Sequence, residues 1–120
     1  MVSQCCAICW QGATKRRWAT LLLYLHPAAA GGHTAFSPEA TEDSAAEELQ
    51  RVCAAAAAAD PERQAVGGGH AFRLSPGSAL LWLNYREGMV DERTRHSGCE
   101  ALEGEKWVLN LWVRPAAAAA

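Results

Sequence analysis

Two side chains ten positions apart, His96 and Lys106, carry the densest chemistry in the sequence, within the run H-S-G-C-E-A-L-E-G-E-K-W over 96–107. An imidazole is a metal ligand or an acid–base group near neutral pH. An ammonium held in a fixed place clamps a carboxylate. Taken singly, each has a plainer explanation: a turn histidine two residues before Gly98, and a solvated lysine at the start of a strand. The other histidines, His26, His33 and His70, are followed two positions on by Ala28, Ala35 and Phe72, so no H-x-D or H-x-E pair exists in the chain. His33 and His70 carry no assignable role. Cys6-x-x-Cys9 has zinc-pair spacing, but a structural zinc site takes four ligands and no second pair follows. The triplet Gly67-Gly68-Gly69 lacks the Lys-Ser/Thr ending of a phosphate loop.

The elements that must position His96 and Lys106 are short. A chain of 120 residues suits one domain with a modest core. The hydrophobic fraction of 50% overstates that core, because alanine comes in runs (28–30, 54–59 and 116–120) and buries little area. Net charge is −2 without a basic stripe, which argues against nucleic acid. The apolar stretch 19–25 is far shorter than the ~20 residues of a membrane helix. The cationic cluster Lys15-Arg16-Arg17 follows the apolar N-terminal residues instead of preceding them, unlike a secretory signal. Five cysteines leave at least one unpaired within the chain, and Cys99 suits a small buried residue.

Residues 17–25 (RWATLLLYL), closed by His26-Pro27, predict a strand buried on both faces. A second short strand is expected at 33–36. Glu42, Asp43, Glu47 and Glu48 lead into Leu49, Val52 and an alanine run ending at Asp60-Pro61, which predicts a helix near 42–59. Its apolar face is thin, so a peripheral insertion spanning about 40–66 is expected, with the glycine triplet as a flexible return. Short strands follow at HAFRL and SALLWLNY, with a further segment near 92–97. In KWVLNLWV, alternation puts Lys106, Val108, Asn110 and Trp112 on one face and Trp107, Leu109, Leu111 and Val113 on the other. The wholly apolar face is expected to pack. Many short strands with Gly/Pro turns point to an all-β sandwich or barrel.

The 96–107 block resembles the H-x-G-C-P-V-L-x-G-x-K-W signature of prolyl 4-hydroxylases, Fe(II)- and 2-oxoglutarate-dependent dioxygenases of the double-stranded β-helix group. LSPGSALLW (74–82) is similar to the family's strand leading to that motif, and RRWATLLLYLHPAAAGGHTAF (16–36) to its R-x-A-T-x-L-x-Y-L…G-G-x-T-x-F segment. The resemblance implies the C-terminal part of the catalytic domain: an all-β, incomplete double-stranded β-helix (jelly roll, cupin-like) with one inserted helix. It further implies a poorly ordered N-terminal remnant over 1–15, the partial dioxygenase domain over 16–115, and an alanine tail over 116–120.

By the same resemblance His96 is the distal iron ligand of a two-histidine, one-carboxylate triad. Lys106 anchors the far carboxylate of 2-oxoglutarate, with Tyr24, Thr34 and Trp112 as further pocket residues. Lysine as the anchor is similar to the collagen-type and plant or algal enzymes, where related hydroxylases and demethylases use arginine. The implied activity is hydroxylation of proline in a peptide or protein, with Fe(II), 2-oxoglutarate and ascorbate as cofactors, in the endoplasmic reticulum or secretory pathway. Two departures stand out. Glu100-Ala101 replaces the Pro-Val of the signature, and the H-x-D half of the triad is missing, so the chain is expected to begin just after that motif or to lack it. A catalytically inactive remnant and a cupin-like binding module are the alternatives.

Overall fold

The computed structural model describes residues 17–115; the expected N-terminal remnant, the Cys6-x-x-Cys9 pair and the alanine tail lie outside the described residues. Two antiparallel sheets face each other. The first places β1 (Ala19–His26) between β11 (Trp107–Val113) and β6 (Ala79–Leu83). The second runs in the order β4 (Ala65–Val66), β5 (Gly69–Phe72), β3 (Thr34–Phe36), β9 (His96–Gly98). Two small ribbons, β2 (Ala30–Gly31) with β10 (Ala101–Glu103) and β7 (Tyr85–Arg86) with β8 (Met89–Val90), complete the strands among the described residues. The result is an incomplete jelly-roll-like all-β fold with one helix.

Pleating decides what each strand presents. On β1, Thr20, Leu22 and Tyr24 are buried and point at the second sheet, while Leu21 and Leu23 are partly covered. The expectation of burial on both faces is therefore corrected: β1 is a one-sided strand. Its register carries the same division across the sheet. Leu21 lies between Leu111 and Leu81, and Leu23 between Leu109 and Ala79, on the outer face. Thr20 lies between Trp112 and Trp82 on the inner face. Much of the outer face is open: Leu81, Leu109 and Leu111 are 66%, 45% and 46% exposed. The expected packing face of the last strand is thus the solvent side, and the face bearing Lys106 is the inward one.

Helix α1 spans Ala45–Ala58, with Ser44 at its N-cap and Glu47 and Glu48 in its first turn, where the helix dipole favours them. It is not peripheral. Leu49, Val52 and Ala56 pack with Val66, Ala35 and Ala71 into the core cluster on the far side of the second sheet. Small residues at Ala35 and Ala71 let the helix approach closely, so a thin apolar stripe suffices. The glycine triplet is a tight hairpin turn and not a flexible return. Val66 pairs with Gly69, leaving a two-residue loop in which Gly67 and Gly68 have φ of +58° and +82°. That left-handed pair is what a right-twisted two-residue hairpin requires. A disulfide joins Cys53 of α1 to Cys99, just past β9. Cys99 is therefore a covalent tie between layers, where a small buried thiol was expected.

Candidate functional site

The inner faces of the two sheets meet at Tyr24 and Thr34. Tyr24, fully buried, donates its single hydroxyl proton to the Phe72 carbonyl at 2.8 Å. The 2.7 Å contact between Tyr24 Oη and Thr34 Oγ1 must then be donated by Thr34. Thr34 Oγ1 in turn accepts from Lys106 Nζ at 3.3 Å. The ammonium also lies 5.2 Å from the centroid of the Tyr24 ring, over its electron-rich face. These contacts form a directed chain: Lys106, Thr34, Tyr24, Phe72 carbonyl.

The Lys106 stem runs beside the backbone at Gly32. Gly32 has φ +67°, and a Cβ there would stand 2.9 Å from the Ala28 methyl and 3.6 Å from Lys106 Cδ. Burial lowers the Lys106 pKa from 10.5 to about 8. No carboxylate among the described residues lies within ion-pair distance of it. Burial also raises the Tyr24 pKa, opposed by the bond from Thr34. A half-buried ammonium with a neutral partner and no counter-ion carries a desolvation cost, and an incoming carboxylate relieves it.

His96 sits one row further along. The second sheet's register aligns His70, Phe36 and His96 across β5, β3 and β9, next to the row Phe72, Thr34, Gly98. The His96 ring packs 4.8 Å from Trp82 and 5.6 Å from Phe36, between the two sheets. Its Nδ1 lies 2.8 Å from the Thr94 carbonyl, which can only accept, so Nδ1 carries the proton and Nε2 keeps its lone pair. Burial lowers the His96 pKa, against the Thr94 bond that raises it. This is the tautomer and charge state of a histidine that ligates through Nε2.

Lys106, Thr34 and Tyr24 thus come together, with His96 one row away on the same interior face. Trp112 shares that face but not the hydrogen-bond chain. It lies in the Thr20–Trp82 row, 45% exposed, with the Arg17 guanidinium 3.8 Å over its ring. Sequence reasoning missed His33, which is 5% exposed with no hydrogen-bond partner for Nδ1. Burial, then the charges of Arg73 and Lys106, lower its pKa. The detectable signal was adjacency to Thr34 inside the H-T-A-F strand. Thr94, which fixes the His96 tautomer, and Gly32 were also missed. Among the described residues, no three His, Cys, Asp or Glu side chains come together as a metal donor set.

No protein-family model matches the chain. Curated relatives do. Over 98 residues it is 34% identical to prolyl 4-hydroxylase 2 of Arabidopsis thaliana, covering 81% of this chain and 30% of that protein. The chain carries a prolyl 4-hydroxylase-type domain. The prolyl 4-hydroxylase subunit alpha-3 of Rattus norvegicus is 32% identical over 98 residues, 81% of this chain and 13% of that protein. The transmembrane prolyl 4-hydroxylase of Mus musculus is 28% identical over 106 residues, 83% of this chain and 21% of its own length. The chain therefore spans less than a third of each of these relatives. The names of these relatives support a resemblance to the dioxygenase family. No helix among the described residues is long and apolar enough to cross a membrane.

Proposed function

We propose that this prolyl 4-hydroxylase-type domain binds 2-oxoglutarate, with Lys106 clamping the far carboxylate and Thr34 and Tyr24 lining the same end of the pocket. One observation carries the proposal: a half-buried ammonium, aimed between two sheets, whose partner is a hydroxyl where a carboxylate would be expected. The spacing supports it. From Thr34 to His96 is one strand across and two residues along, about 8 Å between Cα atoms. A five-carbon dicarboxylate is roughly 6 Å from end to end. A diacid held at Lys106 therefore brings its 2-oxo end toward His96.

In the parent reaction, 2-oxoglutarate and O2 would be consumed at Fe(II) to hydroxylate proline in a peptide or protein, with ascorbate restoring over-oxidised iron. Fe(II) does not fit the described residues as they stand, because one imidazole is in place and no donor set of three accompanies it. The sequence contains no H-x-D to add to it. We therefore assign to this chain cosubstrate binding, with His96 at the position of one ligand of a triad that the described residues do not complete, and expect poor turnover or none from the chain alone. The disulfide supports a secretory-pathway or endoplasmic-reticulum setting, where such bonds persist.

Isothermal titration of the chain with 2-oxoglutarate, with and without Mn(II), tests the proposal. Binding that is lost in Lys106→Ala and insensitive to metal supports a cosubstrate site without a complete metal site. Equal affinity in wild type and Lys106→Ala refutes the carboxylate clamp and favours an unrelated binding module. Measurable 2-oxoglutarate decarboxylation with Fe(II) refutes the expectation of poor turnover.

A further inference from the structure

We propose that His33 is a further residue of the anion site, taking up a proton when a carboxylate settles against Lys106. It rests on the carboxylate clamp and adds a group that the clamp does not include. His33 stands between two residues that flank the lysine. The Gly32 backbone runs beside the lysine stem, and Thr34 accepts from its head. The His33 main chain is fixed there, because its carbonyl accepts from the Cys99 N–H at 2.8 Å. The residue is 5% exposed, and its Nδ1 is buried without a hydrogen-bond partner. Such a nitrogen is costly until something bonds it.

The surroundings select an anion as the missing partner. On the neighbouring strand Arg73 follows Phe72, the register partner of Thr34, and its guanidinium donates to the Ala29 carbonyl at 3.1 Å. Two cations thus bear on the imidazole, Arg73 past the end of β5 and Lys106 ahead of β11. Among the described residues, neither is paired with a carboxylate. Segment 27–32 carries no charge. Glu100 and Glu103 are exposed and meet that segment through their carbonyls. On α1, which packs on β2 and β3, Glu48 is bonded to Ser37 and Glu47 is paired with Arg51. The Tyr24 hydroxyl proton is committed to the Phe72 carbonyl. Burial, then the charges of Arg73 and Lys106, hold the proton affinity of His33 below its ordinary value while the site is empty. A carboxylate at Lys106 offsets that repulsion and offers Nδ1–H an acceptor, and both effects favour the imidazolium. The anion therefore enters together with a proton, and by linkage a lower pH tightens its binding.

Titration calorimetry of the whole chain with 2-oxoglutarate at pH 6.5, in buffers of different ionisation enthalpy, reads the proton directly. Lys106 is already charged at that pH, so the uptake reports on another group. The wild type should take up several tenths of a proton per ligand, and should bind roughly threefold tighter at pH 6 than at pH 7.5. His33→Gln should take up none, and its affinity should change by no more than about 1.3-fold, the share left to Lys106. In the wild type, the His33 Cε1–H resonance in NMR should titrate at higher pH with saturating 2-oxoglutarate than without, a readout that needs no substituted chain. Lys106-dependent binding without proton uptake, and with an unmoved His33 titration, overturns the proposal and leaves the clamp standing. Uptake that persists in His33→Gln places the proton elsewhere and also overturns it. Binding that Lys106→Ala does not weaken overturns the clamp, and this proposal with it.

Discussion

Replacing Cys53 and Cys99 together by alanine should remove a large share of the stability of this domain. The bond closes a loop of 46 residues between the middle of α1 and the turn after β9. Chain-entropy arithmetic for that loop gives a destabilisation of about 4 kcal/mol at 25 °C on opening it. Few contacts stand in reserve, because α1 is held to the second sheet by three buried side chains, Leu49, Val52 and Ala56. For a chain of this size 4 kcal/mol corresponds to a fall of roughly 15 °C in Tm. Calorimetric and urea unfolding of wild type and double variant, each with and without reductant, measures it. The wild type should drop to the variant's Tm when reduced, and the variant should ignore the reductant. A loss of less than about 3 °C would refute the reasoning, by showing that the unfolded chain gains little freedom when the loop opens.

At pH 7, Lys106→Met should weaken 2-oxoglutarate binding roughly 30- to 100-fold, the worth of one charge-assisted contact, as read by titration calorimetry. Because the Lys106 pKa is about 8, wild-type affinity should fall about tenfold between pH 7 and pH 9 while the methionine variant stays flat. The stability contribution of the same group has the opposite sign. Between about 8 and 10.5 the native state holds fewer protons than the unfolded chain, so Lys106's contribution to stability rises with pH across that window. Thr34→Val removes an acceptor from Lys106 and a donor from Tyr24, and should cost about 1–3 kcal/mol in urea unfolding. Gly32→Ala sets a methyl against Ala28 at a left-handed backbone position, and should lower both Tm and 2-oxoglutarate affinity without altering any polar group.

Much of this architecture was legible because it rests on local rules. Period-two alternation in KWVLNLWV separated Lys106 and Trp112 from Leu109 and Leu111, and acidic residues ahead of an alanine run located the helix. Which way those faces turn was not legible. Apolar content suggested that the Leu109–Leu111 side packs inward. In the structure the interior instead takes the side with polar groups, because Thr34 and Tyr24 satisfy Lys106 there. The leucines of β1 concealed the same division, since Leu21 and Leu22 look alike but face opposite ways. Three consecutive glycines gave no sign that Gly69 belongs to a strand while Gly67 and Gly68 make its turn. The link from Cys53 to Cys99 joins positions 46 residues apart, and connectivity over such separations is not encoded in spacing. His33 was passed over because the charges that bear on it, those of Arg73 and Lys106, come from other parts of the chain.

The one-way order of protons from Lys106 to the Phe72 carbonyl has a consequence for selectivity. Both hydroxyls have already committed their hydrogens, Thr34 to Tyr24 and Tyr24 to the main chain, so a newcomer meets a cation with spare N–H groups and no ready hydroxyl donor. A neutral head such as a primary amide would leave the ammonium uncompensated. Under the proposed carboxylate clamp, discrimination between an acid and its amide is thus set by the charge of Lys106 and the direction of the hydrogen bonds around it, before any contact with the rest of the ligand is made.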